Sequence, residues 1–123
     1  MRLFQLFRIQ GVANVITEDG GLASTEAEKK SLKAVWLQSN AQAATDDNTV
    51  EGHHERAKVF EIPEKMVPTQ LHTDTALKSP FGSHLVIPVD IDIPAGQSFK
   101  VGIKCAATPT ILRGIYEYEL VGT

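Results

Sequence analysis

The stretch HLVIPVDIDIPAGQSFKVGIKCA, residues 84–106, limits the possible folds of this chain more than any other. Leu85, Ile87, Val89, Ile91 and Ile93 share one side of an extended backbone, while Val86, Pro88, Asp90 and Asp92 share the other. Successive side chains of a strand point to opposite faces, so this period of two is the pattern of a half-buried strand. Pro88 has no N–H for a ladder, which predicts an edge, a bulge or a break at that point. Residues 94–97, PAGQ, predict a type II turn, with Pro94 in its second position and Gly96 in its third. Alternation then resumes, with Phe99, Val101, Ile103 and Cys105 inward and Lys100 and Lys104 outward. Gly102 on the outer side predicts a bulge or a close backbone approach.

A third strand follows in TILRGIYEYELV, residues 110–121, where Leu112, Tyr116, Tyr118 and Leu120 share one face. Arg113, Glu117 and Glu119 lie opposite, together with Ile111, Ile115 and Val121. Three strands with short connections predict an antiparallel meander. Upstream, the Val-Phe-Ile content of ERAKVFEIP predicts a strand that Pro63 ends. FQLFRIQGVANV reads as a strand with Leu3, Phe7 and Ile9 inward, or as a short helix through Leu3, Leu6 and Phe7. EDGG, residues 18–21, predicts a turn.

Residues 25–38 admit two readings. Thr25 to Glu28 matches a capping box, and Leu32, Val35 and Trp36 fit a helical face. KAVWLQSN also reads as a strand, and the strands around it favour that reading for residues 31–38. Residues 38–49 are polar and small, and read as a loop. Residues 63–84 form a longer loop carrying Met66, Val67, Leu71, Leu77 and Phe81. Those five either cover an edge of the core or meet a partner, and they are the candidate interface. The expected fold is all-β: one antiparallel, jelly-roll-like β-sandwich over residues 1–123, with a short helix near residues 25–38 as the open alternative.

Twelve Lys and Arg against fifteen Asp and Glu leave a net charge of −3, which argues against a dedicated nucleic-acid binder. A single cysteine, Cys105, excludes an intrachain disulfide and a Cys-based zinc site; its neighbours predict a buried thiol. Gln5, Arg8 and Gln10 interrupt the apolar N-terminal stretch, so no secretory signal is expected. No run approaches the ~18–20 apolar residues of a membrane span, so a soluble protein is expected.

Little else suggests chemistry. In EGHHER, residues 51–56, His53 and His54 are adjacent, and in a strand they would point to opposite faces. One ion could not then bind both, and His72 and His84 add no ligand spacing. The stretch reads as a polar lead into the VFEI strand. Asp90 with Asp92, and Glu117 with Glu119, form carboxylate pairs that read as solvated outer faces. Tyr116 and Tyr118 read as core, with a sugar-binding aromatic strip as the alternative. No G-x-S-x-G elbow or glycine-rich phosphate loop occurs, so no catalytic residue, metal or cofactor is expected.

The layout KAVWLQSN, VFEIP, LVIPVDIDIPAGQSFKVGI, GIYEYELV resembles small jelly-roll or β-sandwich proteins of viral and phage particles, over about residues 31–121. The likeness lies in short strands, an IPAG-type turn before an alternating strand, and a final aromatic strand. It implies a non-enzymatic virion protein: a minor capsid, penton, decoration or spike-base subunit. Its partners would be copies of itself or a major capsid protein, in a homo-oligomer with no nucleic acid bound. Its location would be the virion, or the cytoplasm for a non-viral chain. The Pro94–Gly96 turn is also similar to the second motif of cupins. Phe99 stands where the cupin metal ligand would be, so a metal-dependent cupin is not expected. A carbohydrate- or ligand-binding module is the alternative function. His53 and His54 are candidates for an inter-subunit contact that weakens as pH falls through about 6.5.

Overall fold

The computed structural model describes residues 1–39, 48–67, 85–107 and 109–121. In chain order the strands are β1 (Leu3–Gln10), β2 (Ile16–Glu18), β3 (Leu22–Ala23), β4 (Lys30–Ser39), β5 (Thr49–His54), β6 (Ala57–Pro63), β7 (Leu85–Ile93), β8 (Ser98–Lys104) and β9 (Ile111–Leu120). A 3-10 turn, Glu64–Met66, follows β6. All pairings are antiparallel.

One sheet has the order β1-β9-β4-β7, and the other has β2-β8-β5-β6 with β3 also paired to β8. β2 and β3 are two pieces of one interrupted strand laid along β8. Counted that way, the order is that of a jelly roll, and every connection except β5–β6 crosses between the sheets. The expected antiparallel sandwich is therefore the observed architecture. The expected meander is not. β7 pairs with β4, β8 with β5 and with β2 and β3, and β9 with β1 and β4, so no two of these three strands are neighbours. An alternating strand specifies which face it buries, and both sheets bury their apolar faces against the same interior.

That interior is filled from both sides. Phe99, Val101, Ile103 and Cys105 come from β8 and its end, as expected. Opposite stand Phe7, Ile9, Val35, Leu37, Leu112 and Tyr116. Tyr116 is the hinge of the packing: its ring centroid lies 4.7 Å from Phe7 and 6.3 Å from Phe99, the latter edge-on. Gly114 admits the Phe7 ring, since a Cβ there would fall 2.3 Å from Phe7 Cζ and 2.4 Å from the Trp36 carbonyl oxygen.

Residues 30–39 form a strand, and no α-helix occupies the described part of residues 25–38. The helix-like spacing has a specific origin. Leu32 pairs with Tyr118 and Ala34 with Glu117, so Lys33 has no opposite on β9. On β7, Leu32 pairs with Ile91 and Ala34 with Pro88, leaving Val89 and Asp90 together against Lys33. The bulge moves the inward phase by one residue, so Leu32 and Val35 both face the core three positions apart. Asp90 takes a φ of 55° there, and Lys33 Nζ reaches its Oδ1 at 3.1 Å. Thr25 to Glu28 closes a turn instead of opening a helix: the Glu28 N–H donates to Thr25 Oγ1 at 3.1 Å.

Other expectations map closely. β7 is an edge strand, consistent with Pro88. Gly96 has φ 83°, but the Gln97 N–H donates to the Pro94 carbonyl, which puts Pro94 in the first position of the turn. A Cβ on Gly102 would approach Glu18 Cγ to 2.9 Å, so the glycine marks the close approach of β2. The N-terminal stretch is a strand, with Phe7 and Ile9 in the core. Of the expected loop at residues 38–49, Gln38 and Ser39 belong to β4 and Thr49 to β5, and EGHH belongs to β5 rather than leading into a strand.

Candidate interaction face

Among the described residues, the outer face of the β1-β9-β4-β7 sheet carries an unusual surface. Leu6 lies opposite Ile115, Ile115 opposite Trp36, and Trp36 opposite Val86. These four side chains form one apolar row that crosses every strand of the sheet. Leu6 is 77% exposed and Val86 42% exposed. Phe4, two residues from Leu6 on the same face, is 55% exposed and meets the Trp36 ring edge-on at 6.2 Å. The outer face of an antiparallel sheet is ordinarily polar, so a continuous apolar row across it stands out.

Charge is divided on the two sides of this row. On one side Arg8 lies directly opposite Arg113. On the other, Glu117 Oε1 accepts from Trp36 Nε1 at 2.9 Å, and Arg2 bridges Glu117 at 3.1 Å and Glu119 at 3.0 Å. A shallow cleft lined by Leu6, Trp36, Gln38, Arg113 and Ile115 runs along the arginine side. Sequence reasoning missed this face. Its signal was present in LFQLFRIQ, where Phe4 and Leu6 alternate with the inward Phe7 and Ile9 to leave β1 apolar on both sides.

The residues expected at an interface are dispersed. Met66 is 67% exposed, whereas Val67 is fully buried in the core and presents nothing to a partner. Leu71, Leu77 and Phe81 lie outside the described residues, as do His72 and His84. His53 and His54 take opposite faces of β5, the consequence of adjacency in a strand. His53 Nε2 stands 2.9 Å from Glu51 Oε1, and Glu51 is also 3.7 Å from Lys58 Nζ. His54 lies across from Phe99 on the core-side face, with its Nε2 buried and without a hydrogen-bond partner among the described residues. Among those residues, no group of three or more His, Cys, Asp or Glu side chains is placed to hold a metal ion. Arg2 bridges the Glu117–Glu119 pair, whereas in the Asp90–Asp92 pair Lys33 reaches Asp90.

Two buried polar clusters hold the sandwich together. The Tyr116 hydroxyl donates to Asp19 Oδ2 at 3.0 Å and accepts from the Val101 N–H at 3.0 Å. Asp19 also accepts from the Gly21 N–H at 2.8 Å, in the gap between β2 and β3. Burial, then the negative charge of Asp19, pushes the Tyr116 hydroxyl far above the usual tyrosine range. Tyr116 is therefore part of the core and unavailable to a ligand. At one end of the sandwich, the Glu64 carboxylate accepts from Ser39 Oγ, Asn48 Nδ2 and Thr110 Oγ1. Asn48 Oδ1 in turn accepts from the Ala106 N–H at 2.8 Å. This clasp joins the ends of β4, β5, β6 and the lead into β9.

No protein-family model matches the chain, and no curated protein matches its sequence. No helix among the described residues is long and apolar enough to cross a membrane.

Proposed function

We propose that this chain is a structural assembly subunit, working by protein–protein contact rather than turnover, through the outer face of its four-stranded sheet. The observation that carries the reading is the apolar row Leu6–Ile115–Trp36–Val86. Each large apolar side chain moved from water into a packed interface contributes roughly 1.5–3 kcal/mol. A row of four, with Phe4 beside it, therefore supplies a substantial drive toward association. The finer reading is a subunit of a viral or phage particle, binding copies of itself or a major capsid protein. Its support is the jelly-roll order of the strands, an argument from fold analogy. The sugar-binding alternative loses its aromatic strip, since Tyr116 is buried. His53 lies on the outer face of the other sheet, so a pH-sensitive contact there would belong to a second interface, whereas His54 faces the core.

Solution mass by analytical ultracentrifugation tests the assembly reading. The wild-type chain is expected to self-associate or to join a larger particle. Leu6→Glu, which puts a charge at the centre of the β1 end of the row, is expected to be monomeric with an unchanged far-UV circular dichroism spectrum. A wild-type chain that stays monomeric and joins no particle overturns the proposal.

A further inference from the structure

We infer that the outer face of the β1-β9-β4-β7 sheet packs on the same face of a second copy, about a two-fold axis running along the Leu6–Ile115–Trp36–Val86 row. This rests on the assembly reading and adds the partner and the geometry. Charge is distributed unevenly about the row. One side carries Arg8 and Arg113, set directly opposite each other across β1 and β9. The other side carries Glu117, Glu119, Asp90 and Asp92 against Arg2 and Lys33, four carboxylates to two cations, with Arg2 paired to Glu117 and Glu119 and Lys33 to Asp90.

Two copies of one sheet face, strands aligned, can be related by a two-fold axis along the row or along the strands. An axis along the strands lays the arginine side of one copy over the arginine side of the other. It also sets Leu6 against Val86. An axis along the row reverses the strand direction and keeps the position across the sheet. Each residue of the row then meets its own copy, and Arg113 of one copy comes over Glu117 of the other. The apolar row is buried against itself, Arg113 gains a carboxylate instead of more arginine, and Arg8 comes over Phe4. Charge complementarity therefore selects the axis along the row, and a second copy of this chain as the occupant.

Cross-linking of single-cysteine additions tests this. Face-to-face sheets stand about 10 Å apart, too far for a direct disulfide, so a short bis-maleimide is the reagent. The native thiol of Cys105 is 2% exposed and silent under folded conditions. Leu6→Cys and Val86→Cys both replace exposed side chains, and circular dichroism confirms folding of each variant before reaction. The expected result is conversion of most of Leu6→Cys to a covalent dimer with itself, and the same for Val86→Cys. Association in which Leu6→Cys links only to Val86→Cys, or in which neither variant links, overturns the axis and leaves the assembly reading standing. Absence of association by ultracentrifugation, together with absence of cross-links, overturns both.

Discussion

Replacing Tyr116 by Phe removes one oxygen from the centre of the sandwich and leaves the ring packing in place. The oxygen has two partners. The Val101 N–H donates to it at 3.0 Å, and it donates to Asp19 Oδ2 at 3.0 Å. Val101 is fully buried and falls in the gap between β2, which pairs as far as Gly102, and β3, which pairs from Phe99. The N–H therefore has no strand carbonyl to turn to. An orphaned buried donor costs about 1–3 kcal/mol, and loss of the bond to Asp19 adds roughly 1 kcal/mol, because Asp19 keeps the Gly21 N–H and has access to water. The ring's contacts with Phe7 and Phe99 survive, so no cavity term enters. The expected loss is about 2–4 kcal/mol, or roughly 10 °C in Tm for a chain of this size. Urea unfolding followed by circular dichroism and by the fluorescence of Trp36 measures it. Asp19→Asn, which retains an acceptor for the hydroxyl, is expected to lose less than Tyr116→Phe. A Tyr116→Phe variant within about 0.5 kcal/mol of wild type refutes the role assigned to the hydroxyl, since losses of that size are typical of neutral surface changes.

Three further outcomes are expected. The Tyr116 hydroxyl is held protonated in the fold, its pKa raised by burial and by Asp19, so its contribution is intact below the unfolded value of about 10 and declines as pH rises above it. In a Tyr118→Phe background, where Tyr116 is the only tyrosine, tyrosinate absorbance should rise together with loss of the circular dichroism signal; a reversible rise in the folded state argues against burial as the cause. Gly114→Ala should lose about 1–3 kcal/mol, because its Cβ meets the Phe7 ring and the Trp36 carbonyl, and a neutral result in urea unfolding would show that the strand shifts freely. Glu64→Ala should lose about 1–3 kcal/mol by removing the acceptor shared by Ser39, Asn48 and Thr110, with raised hydrogen exchange at the Ala106 amide as the local readout.

The candidate face was only half legible in the chain itself. Alternation in β1 places Phe4 and Leu6 opposite Phe7 and Ile9, so a strand apolar on both sides could be seen. That these residues line up with Ile115, Trp36 and Val86 could not, because the alignment depends on three separate registers. β5 was hidden for a different reason: Glu51, Gly52 and His53 are weak strand formers, and pairing on both sides with β6 and β8 overrides their preference. β4 was ambiguous because its bulge spaces Leu32 and Val35 like one face of a helix.

Sequence alone determines which side of β7 and β8 is buried, since strict alternation allows an extended chain only one apolar face. It also determines that Cys105 is a packed thiol. Partnership is a tertiary decision. β7, β8 and β9 follow one another in the chain yet never pair, because a period of two names a face and not a neighbour. The shared interior, sealed by Tyr116 and the Glu64 clasp, assigns each strand to its sheet, and only that assignment brings the apolar row together on the outside.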